Sequence, residues 1–265
     1  MLAAHGPPLI FALFAWWFST GAVLWLDRQA RGSANFIMLA ASVIGAAALA
    51  GVARSATDTT ALGAYAAFSC ALAIWGWHEL SFLSGAVSGP RTEPCPAGAA
   101  GWVRFRLAAA TLIYHEIALA LTGIALVALT WGQPNQTAVW CYGVLFIMRI
   151  SAKLNLFLGV PNFTDDFLPA RLAYLKSYFR RRAFNALFPV SVIVGMGIAG
   201  ASAAGALAAQ AGGAAQVGLT LTFALVSLAL LEHVFMIAPF RDSVLWHWAG
   251  ALAANKHAHD PGRMP

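Results

Sequence analysis

Seven blocks of roughly 20 apolar residues, set apart by short polar stretches, dominate this chain, and that is the length a helix needs to cross a ~30 Å hydrocarbon layer. They run near 9–26, 36–53, 61–85, 107–131, 137–156, 183–201 and 217–240. No alternating barrel pattern is present, and lipid tolerates no open sheet edge. The expected fold is therefore an all-α integral membrane protein, a bundle of about seven transmembrane helices forming a single domain over residues 1–265. Composition agrees: the chain is 60% hydrophobic and 10% charged, against roughly 25% charged in soluble domains.

Orientation follows from the basic residues. With the N-terminus outside and the C-terminus cytoplasmic, Arg28, Arg31, Arg91, Arg104, Arg106, Lys153, Arg171, Lys176, Arg180, Arg181, Arg182, Arg241, Lys256 and Arg263 all fall on the cytoplasmic side, and the external loops hold only Arg54. This distribution accounts for the net charge of +6 and argues against a nucleic-acid binder, which would gather its cations on a folded surface. Cys70, Cys95 and Cys141 lie far apart and outline neither a disulfide framework nor a zinc ribbon. The opening run has no Lys or Arg before it, so it is expected to be a first span rather than a signal peptide.

Between the spans, segment 159–182 is expected to carry an amphipathic helix on the membrane surface, with Leu172, Leu175 and Phe179 beside Arg171, Lys176 and Arg180 to Arg182. Asp165 and Asp166, a carboxylate pair in a Pro-bounded loop, would suit a cation or cap the helix after them, with capping the expected role. Asn162–Phe163–Thr164 matches a glycosylation acceptor but falls on the cytoplasmic side and is discounted. Trp246, His247 and Trp248 are expected in an interfacial aromatic belt. Gly195, Gly197, Gly200 and Gly205 give the sixth span a small face for close packing.

Chemistry concentrates at three points. Three of the four glutamates adjoin a histidine inside a span: His78–Glu79, His115–Glu116 and Glu232–His233. Ionisable residues within a bilayer are costly and face a protein interior. Counting at 1.5 Å per residue, all three pairs lie roughly 10–14 Å below the cytoplasmic surface. Arg149, Lys153 and Asn155 approach the same depth, with Arg149 and Lys153 one turn apart. Three chemistries suit this set. Imidazole and carboxylate together (His78, Glu79, His115, Glu116, Glu232, His233) would suit iron, zinc or manganese. A single histidine among His78, His115 and His233 would suit the magnesium of a chlorophyll-type ring, in a slot lined by Trp75, Trp77, Phe82 and Tyr114. Ion pairs from the glutamates to Arg149 and Lys153 would hold the bundle in register. No phosphate loop, nucleophile elbow or Ser/His/Asp arrangement is visible.

The blocks WWFSTGAVLWLDR (16–28), HELSFLSGAVSGPR (78–91), YHEIAL (114–119), KLNLFLGVPNFTDDFLP (153–169), YLKSYFRRRAFNALFPVSV (174–192) and LLEHVFMI (230–237) span almost the whole chain. In them the sequence resembles the photosynthetic complex assembly protein 2 family of purple and related phototrophic bacteria. The resemblance implies a multi-pass protein of the inner (intracytoplasmic) membrane that supports production of the bacteriochlorophyll-containing reaction centre and its core antenna. It implies reaction-centre or core antenna subunits as partners, membrane lipid as surroundings, and bacteriochlorophyll or a precursor as a candidate cofactor. It brings no catalytic or ligand residue with it. Two mechanisms stay open: a non-enzymatic factor that holds a pigment or subunit and passes it on, and a membrane metalloenzyme acting on a pigment, quinone or carotenoid precursor.

Overall fold

The structure, a computed structural model, describes residues 2–29, 34–162, 168–238 and Trp246. Readings that rest on Arg31, Phe163, Thr164, Asp165, Asp166, Arg241, His247, Trp248, Lys256 and Arg263 lie outside the described residues. Among the described residues the chain forms α1 (Leu2–Gln29), α2 (Ala34–Ser55), α3 (Ala61–Leu83), α4 (Gly101–Ala110), α5 (Ile113–Thr130), α6 (Thr137–Leu158), a 3₁₀ helix (Ala170–Tyr178), α7 (Leu187–Ala208) and α8 (Ala214–Phe235), with no β-strand. Six of these, α1, α2 and α5 to α8, are long and apolar enough to cross a membrane. At 23 residues α3 matches them in length. Trp75, Trp77, His78 and Glu79 dilute the apolar character of its C-terminal half.

That helix is the axis of the bundle. It packs against α1, α2, α5, α6 and α8 and buries Phe68, Ala71, Leu72 and Ile74 in the main core. The outer faces of α1, α2 and α5 expose Ile10, Phe14, Leu39, Val43, Leu121 and Ile124, an apolar rim of the kind lipid covers.

Loops sort to two ends. At the short-loop end, Asn135 ties two connections together: its N–H donates to the Ala56 carbonyl at 3.0 Å and its Nδ2 to the Ser55 carbonyl at 2.9 Å. The Ala214 N–H reaches the Thr59 carbonyl at 2.8 Å. Here α3 starts under a Thr60 cap, whose hydroxyl accepts from the Gly63 N–H, and the Asp58 carboxylate accepts from both the Thr60 hydroxyl and its N–H. Those two bonds hold the exposed Asp58 carboxyl below its ordinary value of 3.8.

At the long-loop end, Arg171 pairs with Asp27 at the foot of α1, and Arg104 donates to the carbonyls of Phe157 and Tyr178. The Tyr178 hydroxyl donates to the Glu93 carbonyl and accepts from Arg91. Gly159 ends α6 at φ 119°, where a Cβ would strike the Arg182 side chain at 2.7 Å.

Four features differ from the sequence reading. The span expected over 107–131 is interrupted: α4 stops at Ala110 and α5 starts at Ile113, with Leu112 at φ −141°, ψ 4°. The break is made by the loop after α3. Arg91 donates its N–H to the Ala110 carbonyl, and the Ser88 carbonyl accepts from the His115 N–H. Gly89 lies so close to the Ala110 carbonyl and the backbone of Thr111 and Leu112 that no Cβ fits. The expected amphipathic α-helix is instead the 3₁₀ helix, whose buried stripe is Leu172, Leu175 and Tyr178. Spacing by three is what a 3.0-residue turn aligns, so Tyr178 replaces Phe179 in the stripe; Leu172 and Leu175 pack on Phe82, with Phe179 against the same cluster, rather than on lipid. The sixth apolar block, read as 183–201, is helical over Leu187–Ala208, and of its glycines Gly195 and Gly205 abut Leu230 and Leu219 while Gly197 and Gly200 face open space. Trp246 is buried against α1, its ring 5.3 Å from that of Trp16 and its Nε1 donating to the Trp17 carbonyl, so it packs with protein instead of joining a belt.

Candidate functional site

The ionisable residues expected at one depth do meet, around α6. Its two cations, one turn apart, reach in different directions: Arg149 Nη2 donates to Glu79 Oε2 on α3 at 2.9 Å, and Lys153 Nζ donates to Glu116 Oε1 on α5 at 2.5 Å. Each pair joins two helices. Of the three chemistries read from the sequence, this is the ion-pair arrangement.

Below these pairs lie two imidazoles. His78 is 1% exposed and His115 fully buried, with ring centroids 6.3 Å apart and planes at 74°. Thr122 of α5 meets His78 Nε2 at 2.9 Å. Phe82 lies 4.7 Å from the His115 ring, and Trp77 lies 4.8 Å from His78 while its Nε1 donates to Ser42 on α2. Trp75 contacts Tyr142 at 5.5 Å rather than a histidine, and Tyr114 is 54% exposed and turned away. Of the expected lining, Trp77 and Phe82 therefore reach an imidazole.

The third pair is split: Glu232 lies within electrostatic reach of Arg149, and its histidine bonds elsewhere. His233 is buried on α8, with Nδ1 2.8 Å from the Ala229 carbonyl and Nε2 2.9 Å from the Ser151 hydroxyl. A carbonyl can only accept, so Nδ1 carries the proton and Nε2 accepts from Ser151. Glu232 is half-buried on the same helix. Asn155, fully buried, donates to Ser191 on α7 at 3.0 Å.

Among the described residues no three His, Cys, Asp or Glu side chains are grouped so as to hold a metal ion; Glu79 and Glu116 are turned to cations, and His233 is satisfied elsewhere. A chlorophyll-type ring requires an imidazole with an open face, and His78, His115 and His233 are each at most 1% exposed. Neither group fits the residues as they are packed.

Five buried atoms here have no hydrogen-bond partner among the described residues: His78 Nδ1, both nitrogens of His115, Glu79 Oε1 and Glu116 Oε2. An unsatisfied buried polar atom costs about 1–3 kcal/mol. Sequence reading missed the partners Thr122 and Ser151, the Asp27–Arg171 pair, and the Ser88–Gly89 approach. Hydroxyls are common on membrane helices and carry no signal by type. The acid of the WLDR run at the end of the first block was the one available clue to Asp27.

The model of the family described as "Protein of unknown function (DUF3623)" matches residues 2–257. The chain belongs to that family. It is 44% identical over 240 residues to a Rhodobacter capsulatus protein described as "Uncharacterized 30.4 kDa protein in puhA 5′ region", which covers 89% of this chain and 87% of the relative. No solved structure matches. The family match over residues 2–257 covers every helix that builds the polar cluster.

Proposed function

We propose that this DUF3623 member is a non-enzymatic assembly factor for the bacterial photosynthetic reaction centre and core antenna complex, acting in the intracytoplasmic membrane. Three things support the reading: the sequence blocks shared with the assembly protein 2 family, a relative described by its place 5′ of puhA, and the use made of the intramembrane charges. The last carries it. Glu79–Arg149 and Glu116–Lys153 lock helices together where an enzyme would direct such groups at a substrate. The client is a reaction-centre or core antenna subunit, met through the lipid-facing helices and the basic long-loop end; bacteriochlorophyll arrives with that client rather than on His78, His115 or His233.

In this reading the bundle crosses the bilayer seven times, α3 included, because α3 runs between the same two ends as its neighbours. The N-terminus is outside and the C-terminus cytoplasmic, which places the basic long-loop end in the cytoplasm. A membrane-impermeant thiol reagent tests this in sealed cells lacking the native cysteines: Gln210→Cys is labelled from outside and Ala173→Cys only after lysis.

The functional test is a deletion strain grown phototrophically or at low oxygen. The expected result is loss of assembled reaction-centre and core antenna absorption, with pigment precursors still made and restoration by the intact chain. Unchanged levels of the assembled complex would overturn the proposal.

A further inference from the structure

We infer that His78 and His115 form an enclosed binding site for a neutral oxygen that both donates and accepts hydrogen bonds, a water or a hydroxyl group. A neutral imidazole offers one N–H and one bare nitrogen. Thr122 occupies Nε2 of His78, which leaves Nδ1, and both nitrogens of His115 are without a partner among the described residues. The ring centroids are 6.3 Å apart with the planes at 74°, a separation compatible with one oxygen accepting and donating bonds of about 2.8 Å between them. Phe82 and Trp77 present ring carbon, and the Tyr142 hydroxyl is committed to the Leu119 carbonyl at 2.9 Å.

Charge sets the class of the occupant. Glu79 and Glu116 are matched by Arg149 and Lys153, so the surroundings call for neither a free anion nor a free cation. Their leftover oxygens, Glu79 Oε1 and Glu116 Oε2, can only accept, which further favours an occupant that donates. His233 is excluded because both of its nitrogens are used.

Such an oxygen has two sources. One is water enclosed when the helices pack. The other is the hydroxyl head of an amphipathic molecule from the bilayer, for whose chain an apolar groove of about 430 Å³ lies between α5 and α6, lined by Leu119, Gly123, Val127, Val139, Tyr142 and Phe146. Gly123 follows Thr122, the partner of His78, and stands against the Tyr142 ring, which lines the groove and has its centroid 6.5 Å from that of His78. The inference concerns binding by the purified chain and is independent of the assembly role.

The test uses the full chain in phosphatidylcholine nanodiscs. X-ray hydroxyl-radical footprinting oxidises side chains beside bound water, and a diazirine-bearing hexadecanol reports a lipid-borne alcohol. Oxidation of the buried Phe82 that falls several-fold in a His78→Leu/His115→Leu variant identifies enclosed water. Absence of that oxidation, with cross-links to the peptides carrying Thr122 and Tyr142 that unlabelled hexadecanol displaces, identifies the bilayer source. Should the double variant fail to fold, His115→Leu alone replaces it, and the wild-type footprint is read directly. Neither oxidation nor displaceable cross-linking in the wild-type protein overturns the inference.

Discussion

The half of the bundle near the short loops and the half near the long loops share the same helices but are held by different forces. Near the short loops, contact between helices is close and largely apolar, with neutral hydrogen bonds such as His5 to Thr220 at 2.9 Å between α1 and α8. Gly51 sits where a Cβ would be 2.5 Å from the Cys70 sulfur, and Gly218 lies against the Thr137 side chain with no room for one. Lipid tails are as apolar as leucine, so what holds this half is van der Waals fit rather than exclusion of water. Near the long loops, helices are joined by Glu79–Arg149, Glu116–Lys153, Asp27–Arg171, His233–Ser151 and Asn155–Ser191. Polar links of this kind fix which helix faces which, and breaking one exposes a charge to a medium that cannot solvate it.

That contrast puts the largest single effect in the polar half. Lys153→Leu strands Glu116, and the expected loss is about 3–5 kcal/mol of unfolding free energy in detergent; a loss below about 1 kcal/mol would place this pair with ordinary exposed ones. Next, Gly218→Leu forces α8 from α6 and should cost about 1–3 kcal/mol, read as a lower thermal midpoint with the polar half intact. A tolerated leucine there would mean the close packing is not what holds the short-loop half. Asn135→Ala frees the carbonyl of Ser55 and the N–H of Thr137, with an expected cost of about 1 kcal/mol. The smallest effect is at Asp58. Its carboxyl is held low by Thr60, so the stability it adds is present above 3.8 and is lost as pH falls through the lower folded value. Midpoints of the wild-type protein and Asp58→Asn should therefore differ slightly at neutral pH and converge in acid; a gap that widens on acidification would reverse the assignment.

The two halves were not equally legible in the sequence. Length and apolarity announced the long helices, because lipid imposes both, and each apolar block corresponds to one of α1 to α3 and α5 to α8. The gap at Thr111–Leu112 was not legible: Ala108 to Leu112 is good helix sequence, and what parts it is Ser88 to Arg91, distant in the chain. The 3₁₀ helix shares Leu172 and Leu175 with an α-helical reading, and Tyr178 rather than Phe179 completes its buried stripe because the turn tightens to three residues. For the site, residue type and depth pointed to His78, His115, Glu79, Glu116, Arg149 and Lys153, and the structure places these six in one region. The rotation of each helix about its axis then decided the pairing, and it sent His233 to Ser151 rather than to the other histidines. Hydropathy carries no information on that angle.

A double-mutant cycle on Glu116 and Lys153 weighs the ion-pair assignment most directly. Unfolding free energies would be measured in one detergent for Glu116→Leu, Lys153→Leu and the double variant. A coupled pair gives singles that each lose about 3 kcal/mol or more and a double variant that recovers much of the loss, since it leaves no uncompensated charge. Single losses that add to within about 0.5 kcal/mol in the double variant would contradict a pair that holds α5 to α6.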